Sequence, residues 1–265
     1  MIIKDVRTEA AERLKAAGCG TPRLDADLLL AEATGLDRAQ LIAGSNDELT
    51  DTGRFEQLME RRLNREPVAY ILGHKGFRHI DLMVDDRVLV PRPESELVVE
   101  VALDLPQGAR VVDIGTGSGA IALALKHERP DLEVLMTEIS QDAADVASEN
   151  ARRLGLDVEC LVGDLLEPVH GRLDAVVANP PYVKDTERLQ YEIAWHEPGV
   201  ALWGGGDGLD IYRRLMPAIA ATEAKFFAVE VGQGMAQDVA ALVEGFEVEL
   251  YPDLATNERV VVGRR

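Results

Sequence analysis

The residues best equipped for chemistry are Asn179-Pro180-Pro181-Tyr182, directly after an apolar run that ends at Ala178. A residue ahead of proline is biased to extended backbone, which limits where the Asn179 side chain points. Its carboxamide oxygen is an acceptor, and the Pro180 carbonyl, left without a ladder partner, is a second. Two such acceptors suit a planar –NH₂ group, and Tyr182 offers an aromatic face on which a flat substrate can stack. Asn-Pro-Pro is also a plausible plain strand stop, since proline removes a donor and fixes φ. A second string, Asp113-Ile114-Gly115-Thr116-Gly117-Ser118-Gly119, lies between another apolar run and a helical one. Glycines there permit a sharp turn and the close approach of a ligand. Glu138 ends the next apolar run, where a carboxylate can accept hydrogen bonds from ribose hydroxyls.

The glycine string alone leaves the cofactor open. It satisfies the G-x-G-x-x-A fingerprint of nicotinamide enzymes as well as a D-x-G-x-G-x-G pattern. Asp113, two residues before the first glycine, leans towards S-adenosylmethionine, because a carboxylate there can serve an ammonium group directly or through water and loop amides. Joined to Asn179–Tyr182, it reads as methyl transfer to a planar nitrogen. An amide or aromatic amine nitrogen is a poor nucleophile because its lone pair is delocalised. Holding both N–H bonds and aiming the nitrogen at a methyl sulfonium favours the geometry of transfer. Neither a strong base nor a metal is required, since the proton turns acidic only as the C–N bond forms.

These strings need a scaffold. Val6, Ala10, Leu14 and Ala17, then Leu24, Leu28 and Ala31, then Phe55, Leu58, Met59 and Leu63 recur at helical spacing, predicting a small helical bundle over 1–70. Residues 71–91, with Gly73, Gly76 and the run Val88-Leu89-Val90, read as a hairpin-like connector. From 92 to 265 strands and helices alternate, the pattern of an α/β domain. Strands are expected at Arg110–Ile114, Glu133–Thr137, Val158–Val162, Leu173–Ala178 and Lys225–Val231, with Gly245–Tyr251 and Glu258–Val262 forming a terminal hairpin.

Composition narrows the function. With 28 basic against 47 acidic residues, the 265-residue chain carries −19, which argues against a general nucleic-acid coat. Two cysteines provide neither a disulfide framework nor a four-cysteine zinc site. The N-terminus lacks a signal-peptide pattern and no run approaches the roughly 18 apolar residues of a membrane span, so the expectation is a cytoplasmic protein.

The sequence resembles the glutamine methyltransferases that modify peptide chain release factors, the PrmC/HemK family. The resemblance runs nearly end to end. It includes Pro22-Arg-Leu-Asp-Ala-Asp-Leu-Leu-Leu30, Pro67-Val-Ala-Tyr-Ile-Leu-Gly73, Leu89-Val-Pro-Arg-Pro-Glu-Ser-Glu96, the glycine loop, Asn179–Tyr182, Glu197-Pro198, Gly205-Gly-Asp-Gly-Leu209 with Tyr212, and Asn257-Glu-Arg-Val-Val-Val-Gly263. It implies a doubly wound, Rossmann-like methyltransferase domain with a seven-stranded, mostly parallel sheet, behind an N-terminal helical domain that binds the protein partner. It further implies N5-methylation of the glutamine in the Gly-Gly-Gln motif, with S-adenosylmethionine as donor and S-adenosylhomocysteine as product. By resemblance, Asp113 and Gly115–Gly119 (with Thr116 and Ser118) cradle the methionine part of the cofactor, and Glu138 takes the ribose. Asp164 and Leu165 border the adenine, Asn179–Tyr182 hold the glutamine amide, and Arg92–Glu96 helps close the pocket. Two departures stand out: Glu138 replaces the usual Asp, and Leu165 replaces a frequent aromatic.

A related family that methylates a glutamine of a large-subunit ribosomal protein shares much of this pattern, but Arg-Pro-Glu-Ser-Glu favours the release-factor branch. DNA or RNA amino-methyltransferases share Asn-Pro-Pro-Tyr, yet the acidic charge disfavours them. A cofactor-binding module without activity is the remaining alternative, and the intact Asn179 speaks against it. The five histidines show no ligand spacing, Arg61, Arg62 and Arg65 read as a solvated helix face, and Gly204–Gly208 reads as a mobile loop beside the pocket.

Overall fold

In a computed structural model describing all 265 residues, the chain divides into two units. One is Met1–His74 with Leu189–His196, and the other is Lys75–Arg188 with Glu197–Arg265. No helix is long and apolar enough to cross a membrane.

The first unit is helical: α1 (Ile3–Ala16), α2 (Pro22–Thr34), α3 (Arg38–Ala43), α4 (Gly53–Leu63), α5 (Val68–Leu72) and the short helix Tyr191–His196. Pro22 starts α2 where its missing N–H costs nothing, and Gly35 closes it at φ +70°. Val6, Ala10 and Leu14 face the core as their spacing predicts. The predicted stripe of α2 does not: Leu24 is exposed, and Asp25, Ala26, Asp27, Leu29 and Leu30 are buried instead. Carboxylates tolerate that burial because each meets an arginine. Arg7 makes a two-pronged contact with Asp27, at 2.7 and 2.9 Å. Arg62 reaches Asp25 at 2.8 Å and Glu192 at 2.9 Å.

The expected solvated arginine face is therefore corrected. Arg62 is buried, Arg65 grips the same Glu192 at 2.8 and 2.6 Å, and Arg61 pairs with Glu66. Burial opposes the ionisation of Glu192, but the hydrogen bonds from Arg65 and Arg62 outweigh it and hold its carboxyl at about 2. Spacing along α4 could not reveal this, because the partner Glu192 lies far along the chain.

The hairpin β1 (His74–Phe77) and β2 (Ile80–Met83) begins at the last residue of the first unit and otherwise opens the second. Val88–Val90 is not a strand but an irregular segment. Then follow α6 (Glu96–Ala102), β3 (Arg110–Ile114), α7 (Ala120–Glu128), β4 (Glu133–Glu138), α8 (Gln141–Leu154), β5 (Glu159–Val162) and β6 (Ala175–Ala178). The helix Asp210–Ala220 leads to β7 (Phe226–Glu230), and β8 (Glu247–Pro252) and β9 (Glu258–Arg264) close the chain. The sheet order is β5-β4-β3-β6-β7-β9-β8. The first five are parallel, and β9 runs antiparallel to β7 and β8.

β3 lies between β4 and β6, so the chain reverses its winding there and opens a crevice at the carboxyl ends of the strands. Both faces of β3, β6 and β7 are covered, which is why these strands read as continuous apolar runs.

Candidate active site

Register brings the site together. Ile114 pairs with Thr137 on one side and Ala178 on the other, and Ala178 pairs with Val229. The next residue of each strand therefore stands on the same rim: Gly115, Glu138, Asn179 and Glu230. Glu138 in turn pairs with Val162, which puts Gly163 and Asp164 at that rim too. A cleft of about 1150 Å³, part of it open to solvent, runs along this edge. Of the residues singled out by sequence, Asp113, Gly115–Ser118, Glu138, Asp164, Leu165, Asn179, Pro180 and Pro181 all line it.

The glycines divide into two kinds. Gly115 and Gly117 have φ of +65° and +57°, and an added Cβ would meet nothing within 4 Å, so they keep the loop turned and its cleft side clear. At Gly119, by contrast, a Cβ would fall 2.8 Å from Leu123 and 3.3 Å from Met136, so glycine there lets α7 approach β4.

Asp113 is buried beneath the loop. Its Oδ2 accepts from Thr116 Oγ1 at 2.5 Å and Ala122 N at 3.2 Å, while Oδ1 has no partner. Burial pushes its carboxyl up to about 7, opposed by those two hydrogen bonds and helped by the nearby Glu138. Glu138 accepts from Gly117 N at 2.9 Å and Ser140 N at 3.1 Å, one on each oxygen. Each oxygen keeps a further lone pair. Asp164 is paired with Arg214, and Leu165 holds φ +49°, an uncommon backbone for a residue with a Cβ.

Asn179 makes one side-chain hydrogen bond, from Nδ2 to Ser95 Oγ at 2.9 Å. Neither its Oδ1 nor the Pro180 carbonyl accepts a hydrogen bond from the protein. Tyr182 departs from the stacking expectation. It is absent from the cleft lining, its ring packs on the core near Gly232, and its hydroxyl meets Glu230 Oε1 at 3.4 Å. Burial raises its phenol well above the usual value.

The Gly204–Gly208 segment is a brace rather than a free loop. Gly204 N donates to Val183 O at 2.8 Å, Val183 N to Leu202 O at 2.9 Å, and Asp185 N to Gly205 O at 3.1 Å. A Cβ on Gly204 would lie 2.7 Å from the Pro181 carbonyl, so close approach of two backbones requires glycine here.

Glu230 is the residue that the motifs do not mark, and the structure gives roles to three that the resemblance only includes. Ser95 hydrogen-bonds Glu230 at 2.6 Å, and Arg92 pairs with the buried Glu197 at 2.6 Å, fastening the Pro91–Ser95 wall. Burial pushes the Glu230 carboxyl up to about 7 and raises that of Glu197. A signal for Glu230 did exist, since it ends an otherwise wholly apolar strand, and Glu138 likewise stands at a strand's carboxyl end.

Residues 5–73 match the PrmC N-terminal domain and residues 93–203 the methyltransferase small domain. A release factor glutamine methyltransferase of Moorella thermoacetica is 42% identical, over 100% of this chain and 99% of its own. One from Koribacter versatilis is 39% identical with the same coverage. In fold, the crystal structure of a methyltransferase from Pyrococcus furiosus is similar, with a TM-score of 0.54 at 19% identity, over 79% of this chain and 98% of that one. Identity at this level from end to end, on a sheet whose rim gathers the glycine loop and the Asn-Pro-Pro turn, means that the chain belongs to the release factor glutamine methyltransferase family.

Proposed function

We propose that this protein methylates the side-chain amide nitrogen of the glutamine in the Gly-Gly-Gln motif of a peptide chain release factor, using S-adenosylmethionine. One observation carries the reading: a single cleft is lined both by an open glycine loop over a buried carboxylate and by a pair of unoccupied acceptors at Asn179 and Pro180. The residues fit the cofactor. Asp113 Oδ1 is a buried acceptor without a donor, matched to an ammonium group, and the space beside Gly115 and Gly117 is free of side chain. Glu138 retains lone pairs for ribose hydroxyls, and Asp164 and Leu165 border the adenine. Bound there, S-adenosylmethionine supplies an electrophilic methyl and departs as S-adenosylhomocysteine.

The chain's own work is positional. Asn179 Oδ1 and the Pro180 carbonyl each accept one N–H of the glutamine amide, fixing the plane of the group and the direction of its nitrogen. Those acceptors favour the more positive nitrogen that develops as the new bond forms, so they act more strongly on the transition state than on the ground state. The apolar wall of Val88, Leu89 and Pro91 limits water in the cleft. The helical unit, where exposed Trp195 stacks on Tyr191, is assigned to gripping the protein partner.

The test is transfer from labelled S-adenosylmethionine to purified release factor, ribosomal protein and DNA, offered separately and mapped by mass. Label confined to the Gly-Gly-Gln glutamine is the expected result, and label only on another substrate overturns the reading. Asn179→Ala is expected to abolish transfer while S-adenosylhomocysteine affinity stays within about twofold.

A further inference from the structure

We propose that Ser95 and Glu230 are positioning residues for this reaction, which together set the end of the Asn179 carboxamide that faces the cleft. The proposal rests on the reading above, in which Asn179 grips the substrate amide. A carboxamide carries an acceptor on one side and two donors on the other, and only the oxygen can receive a substrate N–H. Reversed, Asn179 would present donors to donors. The backbone alone does not choose between the two, since the terminal torsion of asparagine is roughly two-fold.

Hydrogen count makes the choice. Ser95 has one hydroxyl hydrogen, and an ionised carboxylate only accepts. Ser95 Oγ lies 2.6 Å from Glu230 Oε2 and spends its hydrogen there. The serine oxygen can then only accept, and Asn179 Nδ2 donates to it at 2.9 Å. Donation thus runs from Asn179 to Ser95 to Glu230, leaving Asn179 Oδ1 free of protein donors. The Glu230 end of the relay is held from two sides. Tyr212 donates to the Glu230 backbone carbonyl at 2.8 Å, and the Tyr182 hydroxyl faces the second carboxylate oxygen at 3.4 Å. Ser95 and Glu230 are 4% and 1% exposed, so bulk water does not compete for these bonds.

The same count predicts what protonation does. A carboxylic acid at 230 can donate to Ser95, whose own hydrogen then turns to Asn179, and the carboxamide swings its –NH₂ towards the cleft. The titratable and charged groups around Glu230 are Tyr182, Tyr212, Glu94 and Arg259, with the Ser95 hydroxyl donating to it. Burial and Glu94 push its carboxyl up to about 7, with Ser95, Arg259 and Tyr182 opposing. The relay is therefore set correctly above neutrality and reversed below it.

The experiment uses the full chain with S-adenosylmethionine and intact release factor, comparing wild type, Ser95→Ala and Ser95→Thr across about pH 6 to 9. Ser95→Ala is expected to lower kcat by roughly tenfold to a hundredfold, with unchanged S-adenosylhomocysteine affinity by calorimetry. It is also expected to lose the acid limb near pH 7, because Asn179 no longer senses Glu230. Ser95→Thr keeps the hydroxyl and is expected to restore both rate and limb. The proposal is overturned if Ser95→Ala turns over like wild type, if its acid limb persists, or if Ser95→Thr is as slow as Ser95→Ala. Wild type that leaves the glutamine unmethylated brings down the proposed function itself, whereas an active wild type matched by Ser95→Ala brings down the relay alone.

Discussion

Replacing Glu230 by Gln should make the protein more stable, and the gain should depend on pH. Glu230 is 1% exposed, and its carboxyl rises from the ordinary 4.5 to about 7 because burial disfavours the charge. A group whose pKa is raised on folding adds stability that is complete below its unfolded value and lost as pH climbs through the folded one. Between about pH 4.5 and pH 8, Glu230 thus costs the native state about 3 kcal/mol, at about 1.4 kcal/mol per pH unit. Glutamine has nearly the same shape and no charge, so it escapes that cost. The gain should be near zero at about pH 4.5 and about 3 kcal/mol at pH 8, or on the order of 5–10 °C in Tm. Taking the difference between variant and wild type at each pH cancels the titration of the other carboxylates. Scanning calorimetry at both pH values checks it. Equal gains at the two pH values, or a loss at pH 8, would refute the electrostatic account.

Two further outcomes follow from buried charges. Binding of S-adenosylhomocysteine at pH 7 should release about half a proton, because Asp113 is half protonated there and an ammonium group draws it into its ionised form. Calorimetry in buffers of different ionisation enthalpy reads this directly; the release should vanish by about pH 8.5 and in Asp113→Asn. Arg62→Met should destabilise the helical unit by about 3–5 kcal/mol, since Asp25 would stay buried without its arginine while Glu192 keeps Arg65; urea unfolding that shows under about 1 kcal/mol would discount the buried pair.

Much of the site was legible before any fold was known. The glycine loop, Glu138 and Asn179–Pro181 each sit directly at or after a strand end, and local pattern identifies strand ends well: β3 has the bounds expected and β4 runs one residue further. The neighbours of Tyr182 suggest a stacking face, but its ring packs against the core beside Gly232 and its hydroxyl turns to Glu230. In α2 the apolar count pointed to Leu24 and Leu28, while ion pairs from Arg7 and Arg62 drew Asp25 and Asp27 inward. Periodicity weighs side chains singly and has no access to a partner many residues away.

From sequence alone came the elements, the turn chemistry and the two strings that bear on cofactor and amide, because φ preferences, proline's missing donor and apolar spacing are local properties. Only the tertiary structure decided that Ser95 and Glu230 stand behind Asn179, separated from it by 84 residues in the first case. Parallel register brings the ends of β6 and β7 to one rim, and packing of the segment before α6 delivers the hydroxyl between them. Hydrogen bonds form between atoms that share a place, and sharing a place is a property of the fold.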